Sequence, residues 1–257
     1  MADSRSMPDT DALFLSPTDA FGELADTYDA RLAGNPLLLL ESGAVLAMLP
    51  DLTQAGRVAD LACGTGRYAL QLARLGPQEV IGVDISPEML AVARRKALRA
   101  ELPVTWLTGD LSGAIPLPDS CLDAAVCALA LSFLPDLPTA FAEIARTLAP
   151  DGVLIISDSH PHGLAVARAA SQAVFAKDRA SYFRFTSAAG QECRIAQTPH
   201  TTAEIFGAAQ KAGLLLEQMA EPVVDHRLAS TYGQGLRDKI GIPLALVMRF
   251  RKQAGYK

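Results

Sequence analysis

The stretch VADLACGTGRYALQLA, residues 58–73, sets the architecture expected of this chain. It starts as an apolar run typical of a buried strand, turns at Gly64 and Gly66, and resumes an apolar pattern at helical spacing. Because glycine has no Cβ atom, it permits a tight turn and lets a ligand approach the main chain closely. The stretch therefore predicts a strand, a glycine corner and a helix, with a ligand bound near the corner.

The segments on either side of this corner repeat the alternation of strand and helix. The predicted strands are RVADLAC (57–63), EVIGVDI (79–85), VTWLTG (104–109), LDAAVCALAL (122–131) and GVLIISD (152–158). The predicted helices between them are YALQLARLG (68–76), SPEMLAVARRKALRAE (86–101) and LPTAFAEIARTLAP (137–150). Strands that are apolar at nearly every position belong to a parallel sheet covered on both faces. Right-handed crossovers then give a doubly wound, Rossmann-like α/β fold.

The length of 257 residues is consistent with one domain, expected over residues 16–257 behind a flexible tail at 1–15. Residues 16–52 are predicted to form an N-terminal helical cap of two helices, 16–33 and 35–52. Ser16-Pro17 and Asn35-Pro36 mark their starts. Residues 53–158 form the predicted ligand-binding core.

A long connection, residues 159–200, follows the fifth predicted strand, and connections of this length are typical of lids and binding elements. We predict a substrate lid here, with a helix at 162–177 and a hairpin around Ala189-Gly190. Thr201 and Glu204 fit a capping box that begins the last helix. Residues 201–257 would supply that helix and two antiparallel edge strands, which complete a mostly parallel seven-stranded sheet.

Charge and cysteine content exclude several classes of protein. The net charge of −5 argues against a nucleic-acid partner, because phosphate backbones select for basic surfaces. The apolar run at 36–50 is short and is interrupted by Glu41, so no membrane span is expected. The four cysteines show no metal-ligand spacing or disulfide framework, so we expect no metal and a reduced, cytoplasmic setting. The oligomeric state is not readable from the sequence.

Asp84 strengthens the evidence for a ligand at the glycine corner. It lies twenty residues after Gly64, at the end of the second predicted strand, where a carboxylate can accept both ribose hydroxyls of an adenosine ligand. The alternative is that Asp84 only caps the helix that begins at Ser86. GTGRYA also fits the G-x-G-x-x-A form of the dinucleotide fingerprint. Two ligand classes therefore stay open at this point: a nicotinamide dinucleotide and S-adenosylmethionine.

Five segments in order resemble the class I S-adenosylmethionine-dependent methyltransferases. They are V-x-D-L-x-C-G-T-G, G-V-D-I-S-P-E-M-L, G-D-L, D-A-A-V-C-A-L-A-L-S-F-L-P-D-L and R-T-L-A-P-D-G-V-L. The resemblance covers about residues 57–160 and is greatest to the type-11 group, which includes ubiquinone- and menaquinone-biosynthesis-like enzymes. One departure is visible, since Pro150-Asp151-Gly152 stands where the family commonly has two glycines.

The resemblance implies a cofactor site assembled from residues that follow successive strands. The implied contacts of the methionine portion are Asp60, Ala62, Cys63, Gly64 and Gly66. Those of the ribose and adenine are Asp84, Ile85, Asp110 and Leu111, with Met89 either beside the adenine or in the core. Cys127 and Ala128 would lie under the sulfonium, and Tyr28 over the cofactor tail. The implied product is S-adenosylhomocysteine.

His160 and His162 are the candidate general bases, because they follow the fifth strand at the ligand-bearing end of the sheet. Their alternative is a polar loop pair that faces water or orders the lid. ALALSF stands where methyltransferases of nucleobases and amides carry N/D-P-P-Y/F/W, which favours a small-molecule acceptor for O-, C- or N-methylation. An NAD(P)-dependent oxidoreductase and a non-catalytic protein that binds an S-adenosyl ligand remain alternatives.

Overall fold

Seven strands form the central sheet of the computed structural model, which describes residues 12–163, 181–187, 189–232, 234–237 and 239–255. Along the chain they are β2 (Arg57–Leu61), β3 (Glu79–Asp84), β4 (Thr105–Thr108), β5 (Leu122–Ala128), β6 (Leu148–Ser159), β9 (Leu214–Ala220) and β10 (Ala245–Lys252). Across the sheet the order is β4-β3-β2-β5-β6-β10-β9. The first five strands in this order are parallel to one another, and β10 is antiparallel to both β6 and β9. The predicted doubly wound, mostly parallel sheet of seven strands is confirmed.

Helices cover both faces of this sheet, as the apolar strands require. On one face, α3 (Pro36–Met48) and α4 (Arg67–Ala73) contribute side chains to the core. On the other face, α6 (Leu137–Thr147) and α7 (Thr202–Lys211) do so. The sheet is therefore buried on both sides, and its strand ends are left to form sites.

The predicted helix starts at proline are confirmed. Ser86 begins α5 (Pro87–Arg99), and its hydroxyl accepts the Met89 amide at 3.2 Å. Asn35 caps α3 in the same way through the Leu37 amide. The capping box of Thr201 and Glu204 is present at the start of α7.

The strand order reverses beside β2, since the chain builds β3 and β4 on one side of it and β5 and β6 on the other. The carboxyl ends of β2 and β5 therefore carry loops that depart in opposite directions and leave a crevice between them. Crevices of this kind are where open parallel sheets bind ligands.

The helix predicted over residues 16–33 is broken in two, which is a correction. α1 (Pro17–Leu24) ends where the Ala25 amide donates to the Gly22 carbonyl, and α2 (Tyr28–Leu32) begins three residues later. The hydroxyl of Thr27 donates to the Leu24 carbonyl at 3.2 Å, a local bond that competes with continuation of the helix. The break places α2 across the crevice.

A second, three-stranded sheet lies against α1 and joins β1 (Leu13–Leu15), β8 (Glu192–Gln197) and β7 (Ser181–Thr186) in that order. The antiparallel pairing of β7 with β8 confirms the predicted hairpin. The tail expected at residues 1–15 is wrong for its last three residues, because β1 pairs in parallel with β8. Residues 1–11 lie outside the described residues.

Apolar side chains of the hairpin bury themselves against the N-terminal helices. Phe185, Cys193 and Ile195 share a small core with Ala20 and Leu24 of α1. Most of the helix predicted at 162–177 lies outside the described residues, so the structure describes the hairpin of the expected lid and its two ends, 159–163 and 198–200.

The remaining helices are α8 (His226–Tyr232) and α9 (Gln234–Arg237), with a 3₁₀ turn at Leu131–Phe133. Of the helices that the structure describes, none combines the length and the apolar character needed to cross a bilayer.

Candidate cofactor site

Two adjoining cavities occupy the crevice at the strand ends. The β3 cavity, of about 270 Å³, extends to the ends of β3 and β4 and includes Asp84 and Asp110. The α4 cavity, of about 370 Å³, extends to the start of α4 and includes Asp60 and Arg67. Both cavities are lined by Tyr28, Ala62, Gly64, Ala128 and Leu129. Together they can hold an elongated ligand that passes over the ends of β2 and β5.

The two glycines of the corner serve different purposes. Gly64 has φ +52° and lines both cavities, and a Cβ atom built on it would meet no atom within 4 Å. Gly66 has φ +82°, and a Cβ atom there would lie 2.7 Å from the Trp106 ring and 3.1 Å from the Ala93 methyl. Gly66 lines neither cavity, so the implied cofactor contact at this residue stays a prediction that the cavities do not support. Gly64 leaves room for a ligand, whereas Gly66 leaves room for Trp106.

Two non-glycine residues at the strand ends adopt left-handed backbone conformations. Ala62 follows β2 with φ 55°, and Leu129 follows β5 with φ 56°. Such conformations cost roughly 1–3 kcal/mol each and cluster at functional sites. Since both residues line both cavities, the strained turns lead the chain away from the crevice and keep it open.

The carboxylate of Asp84 organises the corner from the neighbouring strand. One oxygen accepts the Gly64 amide at 2.7 Å, and the other accepts the Ser86 amide at 2.9 Å. Burial raises the pKa of Asp84, although these backbone hydrogen bonds oppose the shift. The residue lines the β3 cavity, and its carboxylate has about four lone-pair sites, which exceed its backbone hydrogen bonds from Gly64, Ser86 and Ile85. Capping of α5 and a ligand role therefore coexist in this side chain.

The far end of the β3 cavity combines apolar walls with polar groups. Ile85, Met89 and Leu111 line it together with Asp110. Met89 is also part of the small core around α1, so both of its expected roles are compatible with its position. One oxygen of the exposed Asp110 accepts the Ser112 amide at 2.8 Å. This end offers flat apolar contact and a carboxylate acceptor, which are the features that an adenine base requires.

Asp60 is a buried residue of β2 and lines the α4 cavity. Its carboxylate accepts the Ala69 amide at 2.7 Å, and burial raises the pKa to about 7. Arg67 opposes this shift, while Asp84 and Glu41 add to it. Asp60 is therefore an acid that a cationic ligand group can hold in its ionised form.

The burial of Asp60 predicts a pH-dependent stability difference between the parent and Asp60→Asn. An acid whose pKa is higher in the folded protein than in the unfolded chain stabilises the fold fully at low pH, and that contribution is lost as the pH rises through about 7. The variant cannot ionise and does not suffer this loss, so we expect the difference in free energy of unfolding, variant minus parent, to be about 2–3 kcal/mol larger at pH 8 than at pH 5. Urea unfolding of the ligand-free proteins measures this. Asp158, whose pKa burial raises to about 6, is common to both proteins and cancels in the difference; a constant difference would contradict the assignment.

The two cysteines expected at the cofactor have different surroundings. Cys63 lines the α4 cavity, and burial raises the pKa of its thiol well above its ordinary value, so it is a neutral wall. Cys127 is fully buried in the core and lines neither cavity, which corrects its expected position. Because side chains alternate along a strand, Cys127 faces the core while Ala128 reaches the cleft.

Tyr28 lies at the start of α2, lines both cavities, and has a pKa raised by burial. The next residue, Asp29, accepts the Thr65 hydroxyl at 2.6 Å and the Lys96 ammonium at 2.7 Å. Arg31 donates to the Thr186 carbonyl at 2.7 Å rather than reaching the cleft. These bonds tie α2 to the glycine corner, to α5 and to the hairpin, and hold Tyr28 over the cleft.

The two candidate general bases are not brought to the cleft. The Nδ1 atom of His160 accepts the His162 amide at 3.2 Å, so Nε2 carries the proton and donates to Glu221 at 2.9 Å. The backbone of His160 donates to the Leu244 carbonyl, which turns the residue toward β10. His162 is exposed, and neither histidine lines the two cavities. The strand that carries them is one place farther from the crevice than β5, so the positions of the two histidines in this structure do not support the expected role as general bases.

Several residues of the cleft carry no local sequence signal. Phe21, from α1, and Phe133, after β5, lie with ring centroids 5.1 Å apart and line the β3 cavity. Arg67 lines the α4 cavity and pairs with the buried Glu41 at 2.8 Å. The only available hint was Glu41 itself, an acid within an apolar helix. Two further aromatic residues, Phe183 and Phe185 of β7, pack in the small core around α1, while the exposed Tyr182 contacts Phe14 edge to face.

Comparison with known proteins agrees with this arrangement. Residues 59–156 match the family model described as a methyltransferase domain. A demethylmenaquinone methyltransferase of Thermus thermophilus is 42% identical over 106 residues, which cover 41% of this chain and 48% of that protein. An uncharacterised methyltransferase of Emericella nidulans is 28% identical over 256 residues, covering 91% of this chain and 83% of that protein.

Solved structures show the same fold. An S-adenosylmethionine-dependent methyltransferase from Mesorhizobium loti aligns with a TM-score of 0.63 at 23% identity, over 83% of this chain and 98% of that chain. The sequence match to the Thermus thermophilus relative spans only about half of that protein's length. Residues 59–156 are thus identified as a methyltransferase domain, and in its motif order this part of the chain resembles the class I S-adenosylmethionine-dependent methyltransferases of the type-11 group.

Proposed function

We propose that this protein transfers the methyl group of S-adenosylmethionine to a small, partly apolar molecule. The observation that carries the proposal is the pair of adjoining cavities at the ends of β2 and β5. One of them presents two carboxylates, Asp84 and Asp110, at the ends of adjacent strands, and the other presents a mixture of acidic and basic groups. An adenosine and a zwitterionic amino-acid tail match these two environments.

In this arrangement the adenosine lies in the β3 cavity. Asp84 accepts the ribose hydroxyls, Asp110 accepts the adenine amino group, and Ile85, Met89 and Leu111 contact the base. The tail lies in the α4 cavity, where Asp60 faces its ammonium group and Cys63 and Tyr28 form walls. The sulfonium then falls at the shared boundary, beside Ala128 and Leu129.

Methyl transfer is an in-line displacement on a methyl group that already carries a good leaving group. The protein contributes mainly alignment of the acceptor, and well-oriented reactions gain up to roughly 7–11 kcal/mol in this way. His160 is engaged with Glu221, so it serves in this proposal as a support of the β6 end rather than as a base.

Apolar residues of the β3 cavity favour an apolar acceptor. They are Pro17, Phe21, Phe133, Leu134 and Pro135. Edge-to-face phenylalanines present flat apolar surface, on which a planar ring can pack. The Thermus thermophilus relative is named for methylation of demethylmenaquinone. We therefore propose a phenol, quinol or enol as the class to test first.

Calorimetric titration with S-adenosylhomocysteine, with NADH in a parallel cell, tests the proposal. We expect micromolar binding of the first compound and none of the second. Labelled methyl transfer to phenols, quinols, enols and amines then identifies the acceptor. Binding of NADH alone would overturn the proposal and make Asp84 a dinucleotide ligand, and cofactor binding without transfer to any acceptor would favour a non-catalytic binding protein.

A further inference from the structure

Glu41 is a fully buried acid in the otherwise apolar helix α3. Its carboxylate accepts the Tyr68 hydroxyl at 2.7 Å, the Ser157 hydroxyl at 2.5 Å and Nη1 of Arg67 at 2.8 Å. A buried carboxylate needs such partners, because desolvation of an unpaired charge costs several kcal/mol. The network joins α3 to α4 and β6, and it ends at the guanidinium of Arg67.

Only one nitrogen of that guanidinium, Nη1, donates hydrogen bonds to the described part of the chain. Nη1 also donates to the Ser42 hydroxyl at 3.0 Å, and the Cζ atom lies 4.3 Å from the centroid of the Tyr68 ring. Nε and Nη2 make no hydrogen bond with the part of the chain that the structure describes. The residue lines the α4 cavity, so these N–H donors remain available to a ligand there.

The other cations of the α4 cavity are less suited to bind an anion. Lys96 is paired with Asp29 at 2.7 Å, in the tie that holds α2. Arg74 is exposed at the far end of α4 and donates to the Leu70 carbonyl at 3.1 Å. Arg67 is the cation whose position is held rigidly beside Asp60 and the glycine corner.

We propose that Arg67 binds the carboxylate of the cofactor's amino-acid tail, and that Glu41 is the positioning residue that aims it. This inference rests on the proposed function, which places the tail in the α4 cavity. Planar guanidinium donors match a carboxylate in geometry and form strong, charge-assisted hydrogen bonds. The pair therefore makes the site selective for S-adenosyl compounds that keep their carboxylate.

A merely structural network would tie α3 to α4 without any effect on ligand selectivity. The test is therefore the ratio of two affinities, measured by calorimetry on the full chain. The probes are S-adenosylhomocysteine and its decarboxylated analogue, S-adenosyl-3-thiopropylamine, which differ only in the carboxylate.

For Arg67→Met we expect the affinity for S-adenosylhomocysteine to fall on the order of 10- to 100-fold, the range of a charge-assisted hydrogen bond. The affinity for the decarboxylated analogue should change less than about threefold, because the analogue lacks the group that Arg67 contacts. Arg74→Met, which removes a cation from the same cavity, is the matched control and should leave both affinities unchanged.

Arg67→Met leaves the Glu41 carboxyl without its cation, so the double variant Glu41→Gln with Arg67→Met is measured beside it and should show the same loss of selectivity. Equal weakening of both ligands, or an unchanged ratio, would overturn the role of Arg67 while the proposed function stands. A parent protein that binds neither probe would overturn the proposed function itself.

Discussion

Asp84→Ala is expected to weaken the binding of S-adenosylhomocysteine by about 100-fold or more. The variant removes the proposed ribose acceptor, and it also leaves the Gly64 and Ser86 amides without the oxygens that hold them at 2.7 and 2.9 Å. Each hydrogen bond from a ribose hydroxyl to the carboxylate is worth about 1.5–3 kcal/mol. Loss of both therefore lowers the affinity more than about a hundredfold. Calorimetry on the purified variant measures the effect directly.

Asp123→Ala separates this effect from a general loss of stability. One oxygen of Asp123 accepts the Gly56 and Arg57 amides at 2.7 and 3.0 Å, at the opposite end of the sheet. The control therefore removes a carboxylate that also holds two backbone amides, but far from the cleft. We expect it to lose some stability and to keep its affinity for the cofactor product. Equal affinity losses in the two variants would refute the ribose assignment.

Gly66→Ala is expected mainly to lower stability, whereas Gly64→Ala is expected mainly to lower the affinity for the cofactor product. Gly66→Ala should lower the free energy of unfolding by about 2–5 kcal/mol, since its methyl would meet Trp106 at 2.7 Å and its φ of +82° disfavours a side chain. Gly64→Ala meets no atom within 4 Å, so its stability should fall by only the strain of a left-handed alanine, about 1–2 kcal/mol. Its methyl enters the space proposed for the cofactor, however, and affinity should fall roughly 10- to 100-fold.

Urea unfolding and calorimetry on both variants distinguish the two effects. Gly76→Ala is the matched control for Gly64→Ala, because Gly76 has φ +88°, also has no atom within 4 Å of a built Cβ, and lies in the turn after α4. It should reproduce the loss of stability and leave binding intact. If the affinity of Gly64→Ala equalled that of Gly76→Ala, the ligand would not approach the corner.

Local patterns were sufficient for the strands and helices of the core. Continuous apolar runs bounded by glycine and proline predicted β2 to β6, and serine or asparagine before proline predicted the helix starts. These signals work because backbone geometry and burial on both faces act on neighbouring residues. The prediction failed at residues 16–33, where local bonds of Ala25 and Thr27 replace a continuous helix, and at Leu13–Leu15, whose partner strand is about 180 residues away.

The candidate site was predictable only where the ligand contacts follow directly on strand ends. Asp84, Asp110, Ala62 and Gly64 lie in the cleft because the carboxyl ends of parallel strands meet at one edge. Gly66 does not, because it packs against the Trp106 ring, and Cys127 does not, because its side chain faces the core. His160 follows a strand end too, but the pairing of that strand with β10 turns it away.

The alternation of strands and helices, the glycine corner and the resemblance to methyltransferases were determined by the amino-acid sequence alone, because each is carried by short local patterns. The tertiary structure decided which of those residues share a cavity. Phe21 meets Phe133, and Glu41 meets Arg67, across long stretches of chain. Such pairs depend on how whole elements pack, and packing is a property of the folded chain that no local pattern carries.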